Sequence, residues 1–335
     1  MIGNFIANNR SLTLLYLIIL GVPALFYKTT LDMAEVWWVN ETFTHGFLVF
    51  PISLWLIWSK KEYLADLLPD PEPLILIGTL LFSCSWLISA LIDIKVLMQV
   101  SMISIILTLV WAILGRKIFS FLLFPLLFLY LAPPIGQGLI PVLMEFTANT
   151  TVHMVKLTGI PVYQEGLNFI LPSGSWSVVE ECSGVRYLIA TITLGMVYAY
   201  ITYATLKKRL IFIAFTIITP IFANSLRAFI IVMLGHFSNM KIATGADHLL
   251  YGWVLFGLII ITIFYIGSFW ADSSEEFDKE APEPGSVPAK SLALPYLAIS
   301  LVILAAIQLV LYQANSQAVN PDDTTITLQA VSYTH

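Results

Sequence analysis

Residues 207–236 read KKRLIFIAFTIITPIFANSLRAFIIVMLGH. Three cations stand at one end, and from Leu210 to Gly235 the only formal charge is Arg227. About 20 apolar residues of helix cross a hydrocarbon core about 30 Å thick, so the stretch reads as a transmembrane helix. With Leu210 at the inner edge and about 1.5 Å of rise per residue, Arg227 lies ~25 Å up, just below the outer surface. Asn224, three residues earlier, shares its helical face. Burying an ionisable group in lipid costs several kcal/mol, which makes Arg227 a functional candidate. The plain alternative is an arginine that snorkels to the outer headgroups.

The rest of the chain follows the same pattern. Its 335 residues are 58% hydrophobic and 11% charged. Soluble domains carry about a quarter charged residues, so a soluble globule is excluded. Nine apolar runs fall at roughly 12–27, 45–58, 74–92, 96–114, 118–132, 184–206, 210–235, 249–270 and 292–312. They predict an all-α polytopic membrane protein: a core of about eight transmembrane helices over 1–270, and one further C-terminal span. The acidic, proline-containing segment 271–290 reads as a cytoplasmic linker. Residues 291–335 hold the last span and a short polar outer tail. The first run follows Arg10 and reads as an uncleaved signal anchor. The net charge of −5 leaves no basic stripe for nucleic acid.

Orientation follows the cations. Lys60-Lys61, Arg116-Lys117 and Lys207-Lys208-Arg209 all fall on one side, with Arg10, Lys279 and Lys290, and that side is cytoplasmic. Residues 133–183 then lie outside. They hold an amphipathic stretch, Leu139 to Lys156, and two alternating runs, 162–171 and 176–179, around Pro172-Ser173-Gly174-Ser175. The pair predicts a β-hairpin on the outer face. Its role is either a cap over the bundle or a contact with substrate.

Two more side chains reach the same level. Cys182 opens the sixth span, where the helix dipole and Arg186, one turn later, both favour thiolate. Glu180 and Glu181 oppose this unless they point away. His248 stands at the outer entrance of the eighth span as a candidate acid or base. A thiol, a guanidinium and an imidazole from three consecutive helices would make a nucleophile, an oxyanion-stabilising cation and a proton carrier. His45, His153, His236 and His248 lie on that face too, but without the close pairs typical of metal ligands, so neither metal nor cofactor is expected.

Cys182-Ser183-Gly184-Val185-Arg186-Tyr187-Leu188, then Asn224-Ser225-Leu226-Arg227, then His248 with Gly252-Trp253, resemble the exosortases. Thr44-His45-Gly46-Phe47-Leu48-Val49-Phe50-Pro51 also looks like a feature of that family. The resemblance is strong over about 150–270 and weaker beyond. It implies a thiol protease or transpeptidase of the bacterial inner membrane, with its site facing the periplasm. Its partners would be membrane lipid and exported proteins bearing a C-terminal PEP-CTERM signal, in a setting of exopolysaccharide and protein sorting. Cys182 would be the nucleophile, with Arg227 and His248 as its catalytic partners and their two roles exchangeable. Asn224, Arg186 and His45 would bind substrate or support the site. The chain's own Pro71-Glu72-Pro73 and Pro282-Glu283-Pro284 precede apolar runs on the cytoplasmic side, and read as starts of spans rather than as a signal. The rival class is a non-enzymatic polysaccharide or solute export component, with Arg227 lining a path.

Overall fold

The computed structural model describes residues 10–67, 69–238, 247–273 and 293–318. The helices are, in order, α1 (Arg10–Leu25), α2 (Tyr27–Val39), α3 (Gly46–Ser59), α4 (Lys61–Asp66), α5 (Leu76–Leu91) and α6 (Lys95–Phe121). After α7 (Leu123–Phe128) come α8 (Leu139–Leu157), α9 (Val185–Thr202), α10 (Leu206–Phe237), α11 (Asp247–Ser268) and α12 (Ala293–Ala318). Among the described residues, six helices are long and apolar enough to cross a membrane, or seven if α1 and α2 count as one broken span. This makes the chain a multi-pass membrane protein.

The expected nine spans are not all present as single helices. The first run stops at Leu25, and α2 carries Lys28, Asp32 and Glu35, charges that hid it from an apolar scan. The α6 range breaks at Gly115 (φ +85, ψ 169), between the fourth and fifth runs. The fifth run, 118–132, is further divided among the short helix after that break, α7 and a 3-10 turn, Leu129–Leu131. Pro125 gives the reason. It has no N–H to offer the carbonyl of Phe121 four residues back, and its ring crowds that carbonyl, so α6 ends there.

One compact unit comprises residues 1–29, 64–120 and 286–335. In it α12 packs against α5. Glu72 binds the α6 helix twice, its carboxylate accepting from the Trp111 indole at 3.2 Å and from the Arg116 backbone N–H at 3.1 Å. Pro73 then begins the 3-10 turn that leads into α5, as expected of the first Pro-Glu-Pro. The second, 282–284, lies outside the described residues.

The other unit comprises residues 30–63 and 121–285. Here α9 and α10 pair through the short connection 203–205, and α8 and α11 pack on α10. The connection is closed by Asp272, which accepts from the Ala204 backbone and pairs with Lys208. The Tyr203 hydroxyl donates to the Gly267 carbonyl at 2.8 Å. Burial pushes that phenol up to about 12, so it stays a donor at neutral pH.

The amphipathic stretch forms α8, whose buried Thr147, Ala148, Thr151, Val152 and Val155 make one stripe. The predicted hairpin is instead a three-stranded antiparallel meander of β1 (Tyr163–Glu165), β2 (Asn168–Leu171) and β3 (Gly174–Ser177). The arm 162–171 folds back on itself because Glu165 pairs with Asn168, leaving Gly166-Leu167 as a two-residue turn. Phe169 and Leu171 alternate into a core with Val178, with Ala148, Val152 and Val155 of α8, and with Val232 of α10. The sheet is thereby seated on α8 and α10, beside the start of α9.

Candidate active site

Cys182 closes a 3-10 turn, Glu180–Cys182, and is half-buried. Its backbone N–H donates to Val179 at 2.9 Å, and its carbonyl accepts from the Asn224 amide at 2.7 Å. The same amide nitrogen donates to the Thr147 hydroxyl at 3.1 Å. One buried asparagine on α10 thus ties the cysteine turn to α8.

Gly184 makes that approach possible. It has φ +76 and precedes α9 as its cap, and a Cβ placed on it would lie 2.6 Å from the Asn224 amide carbon. An L side chain is disfavoured there by about 1–2 kcal/mol on conformation alone. Gly184→Ala is therefore expected to displace the Asn224 clamp. Its detergent-solubilised form should unfold several degrees below the parent. A parental melting temperature would show that neither the turn nor the clamp matters to the fold.

Arg227, 5% exposed, lies one turn beyond Asn224 on α10. Its guanidinium stands over the Tyr187 ring at 5.8 Å, and Tyr187 stacks on Phe256 of α11 at 3.6 Å. A Cβ on Gly252 would come within 3.2 Å of an Arg227 terminal nitrogen and 2.5 Å of the Tyr187 hydroxyl. The backbone of α11 at Gly252 is therefore in close reach of the guanidinium. His248 belongs to the first turn of the same helix, and its side chain lies outside the described residues.

Cys182, Asn224 and Arg227 line one cavity of about 210 Å³. Its other walls come from Thr151 on α8, from Phe169 and the run Trp176–Val179, and from Ala228, Ile231 and Val232. Arg227 is the only charged side chain in that lining among the described residues. No three His, Cys, Asp or Glu side chains gather as a metal site among the described residues.

A family profile described as transmembrane exosortase matches residues 37–265, more than half of the chain. The chain belongs to the transmembrane exosortases. No curated protein and no solved structure matches it.

The match to the exosortases begins at Trp37 and runs beyond Gly252. Near its start the Thr44–Pro51 segment has a visible structural task. His45 Nε2 contacts the Leu131 carbonyl at 3.1 Å, and the Trp37 indole donates to the next carbonyl, Ala132, at 2.8 Å. Gly46 leaves room for that indole, since a Cβ there would fall 2.2 Å from its nitrogen. Both bonds fix the stretch that leads into α8. Neither His45 nor Arg186 lines the cavity among the described residues. Arg186 pairs with Glu41 at 2.5 Å, joining the start of α9 to the 3-10 turn before α3. Its expected help to Cys182 assumed continuous helical spacing, and the left-handed Gly184 breaks that spacing. Sequence reasoning passed over Thr147, Thr151 and Trp176. The first two belong to the stripe of α8, and only the hairpin's proximity to Cys182 hinted at the third.

Proposed function

We propose that this exosortase is a membrane-embedded cysteine protease or transpeptidase that cleaves the C-terminal PEP-CTERM sorting signal of exported proteins. One observation carries the reading: the one cysteine held by a buried clamp shares a small cavity with a buried arginine. A thiol and a fixed cation at one locus suit acyl transfer. In this reading the Cys182 thiol gives its proton to the His248 imidazole. The sulfur then forms a bond to the scissile carbonyl carbon, and Arg227 meets the charge that develops on the carbonyl oxygen. Collapse breaks the C–N bond, and the departing amine takes the proton from His248. A thioester on Cys182 is left for water or an acceptor amine to open.

Basic flanks set the depth. Lys207-Lys208-Arg209 stand beyond one end of α9 and Cys182 beyond the other, separated by 18 helical residues, or about 27 Å. With the triplet in the cytoplasm of a bacterial cell, Cys182 faces the periplasm at the outer edge of the inner membrane. The substrate's own transmembrane helix, packed on this bundle, would present its signal at that level without a deep cleft.

The test is capture of the thioester. Membranes holding the protein are mixed with a substrate that carries the signal, quenched in acid, and the intact chain is weighed. The expected product is the chain bearing the N-terminal part of the substrate, released by neutral hydroxylamine. Processing with no such adduct, and with full sensitivity to a metal chelator, would overturn the reading.

A further inference from the structure

The cavity beside Cys182 holds more hydrogen-bonding capacity than the protein uses. The Thr151 hydroxyl, the Trp176 indole N–H and the Asn224 amide oxygen are all buried and lack a hydrogen-bond partner among the described residues. Thr151 is fully buried and Asn224 is 2% exposed. All three residues line this one cavity. Leaving such a group unpaired costs about 1–3 kcal/mol, and native proteins keep few of them. Three of them belong to residues in the wall that also holds the thiol, and none is satisfied by a protein group among the described residues.

Their chemistry narrows the ligand. An indole N–H only donates, an amide oxygen only accepts, and a hydroxyl does both. A group that satisfies all three must offer both an acceptor and a donor, with no net charge demanded by these atoms. A secondary amide of a peptide backbone does this. The remaining walls, Phe169, Val178, Val179, Ile231 and Val232, are apolar and leave room for a small side chain. Phe169 and Trp176 face each other across β2 and β3, so the sheet presents the indole on one side of the cavity while α8 presents Thr151.

We infer that Thr151, Trp176 and Asn224 form an amide-binding subsite that seats a backbone amide of the substrate next to the scissile bond. This rests on the proposed role of Cys182 and adds what aligns the peptide there. Trp176 Nε1 donates to the substrate carbonyl, Asn224 Oδ1 accepts the substrate N–H, and the Thr151 hydroxyl completes whichever partner is short. Asn224 then has two duties, since its nitrogen end already holds the Cys182 carbonyl.

The experiment compares Trp176→Phe, Thr151→Val and Thr151→Ser in full-length protein in membranes, with Cys84 replaced by serine so that Cys182 is the sole thiol. Processing of a signal-bearing substrate is followed for KM and kcat separately. Alkylation of Cys182 by N-ethylmaleimide and the melting temperature in detergent report the fold. The expected result is a KM raised about threefold to tenfold in Trp176→Phe and Thr151→Val, the scale of one neutral hydrogen bond, with kcat within about twofold. Thr151→Ser keeps the hydroxyl and should stay near the parent. Alkylation should be unchanged in all three, and the melting temperature should not fall in Thr151→Val, because that variant removes a hydroxyl that has no partner to lose and keeps the side chain's volume. Parental KM in both Trp176→Phe and Thr151→Val would overturn the subsite while leaving Cys182 catalysis intact. Equal losses in Thr151→Val and Thr151→Ser would also overturn it, by showing that the hydroxyl is not the cause. Processing that survives Cys182→Ala would instead remove the reading on which the subsite rests.

Discussion

Replacing Cys182 with alanine is expected to abolish processing of a signal-bearing substrate, a loss on the order of 10⁴-fold or more if it removes the nucleophile. Serine in its place should be nearly as damaging, because a hydroxyl is a far weaker acid than a thiol and its oxygen stays protonated. The fold should tolerate both changes. Asn224 binds the backbone carbonyl of residue 182 and not its side chain, so the clamp survives either substitution. The contrast is Cys84, exposed on α5, whose replacement by serine leaves the rate at the parental level. The measurement is the mass of a co-expressed substrate, scored against the amount of protein in the membrane. Normal cleavage by the Cys182→Ala protein would eliminate thiol catalysis and return weight to a transport role.

What the sequence disclosed and what it hid divide on physical lines. Lipid penalises polar groups, so Arg227 and Asn224 stood out inside an apolar run, and the structure places both within one cavity with Cys182. Membrane class was legible for the same reason. Thr151 gave no comparable signal, because a threonine on an amphipathic helix is ordinary until its hydroxyl is found buried and unsatisfied. Trp176 became visible only when the meander was seated on α8 and α10. Local spacing rules failed where the chain left regular geometry. The step from residue 182 to 186 was read as one helical turn, but Gly184 is left-handed, and Arg186 finds Glu41 instead. The run 118–132 looked continuous in hydropathy, and Pro125 divides it by removing a backbone donor. Composition decides what a segment is dissolved in; single glycines and prolines decide where it turns.

Replacing Arg227 with lysine should be costly although the charge is kept, but less so than replacing the nucleophile. The guanidinium lies over the Tyr187 ring, 5.8 Å from its centre, and close to the backbone of α11 at Gly252, in a place where only 5% of the residue is exposed. A planar fork fixed from two sides can aim N–H groups at an oxygen that gains charge only in the transition state. A lysine ammonium is a point charge on a flexible stem and cannot reproduce that direction, so kcat should fall by about 10²–10³ while KM moves little. Gly252→Ala gives an independent handle on the same geometry. The added methyl would stand 3.2 Å from one guanidinium nitrogen and 2.5 Å from the Tyr187 hydroxyl, so both must shift. Its kcat should fall between that of the parent and that of Arg227→Lys, even though no charge and no hydrogen-bonding atom has been removed. If Arg227→Lys and Gly252→Ala both turned over at the parental rate, direction would be irrelevant and the cation would act as charge alone. If Arg227→Ala did so as well, the guanidinium would have no part in the chemistry, and its burial beside Cys182 would be a matter of packing.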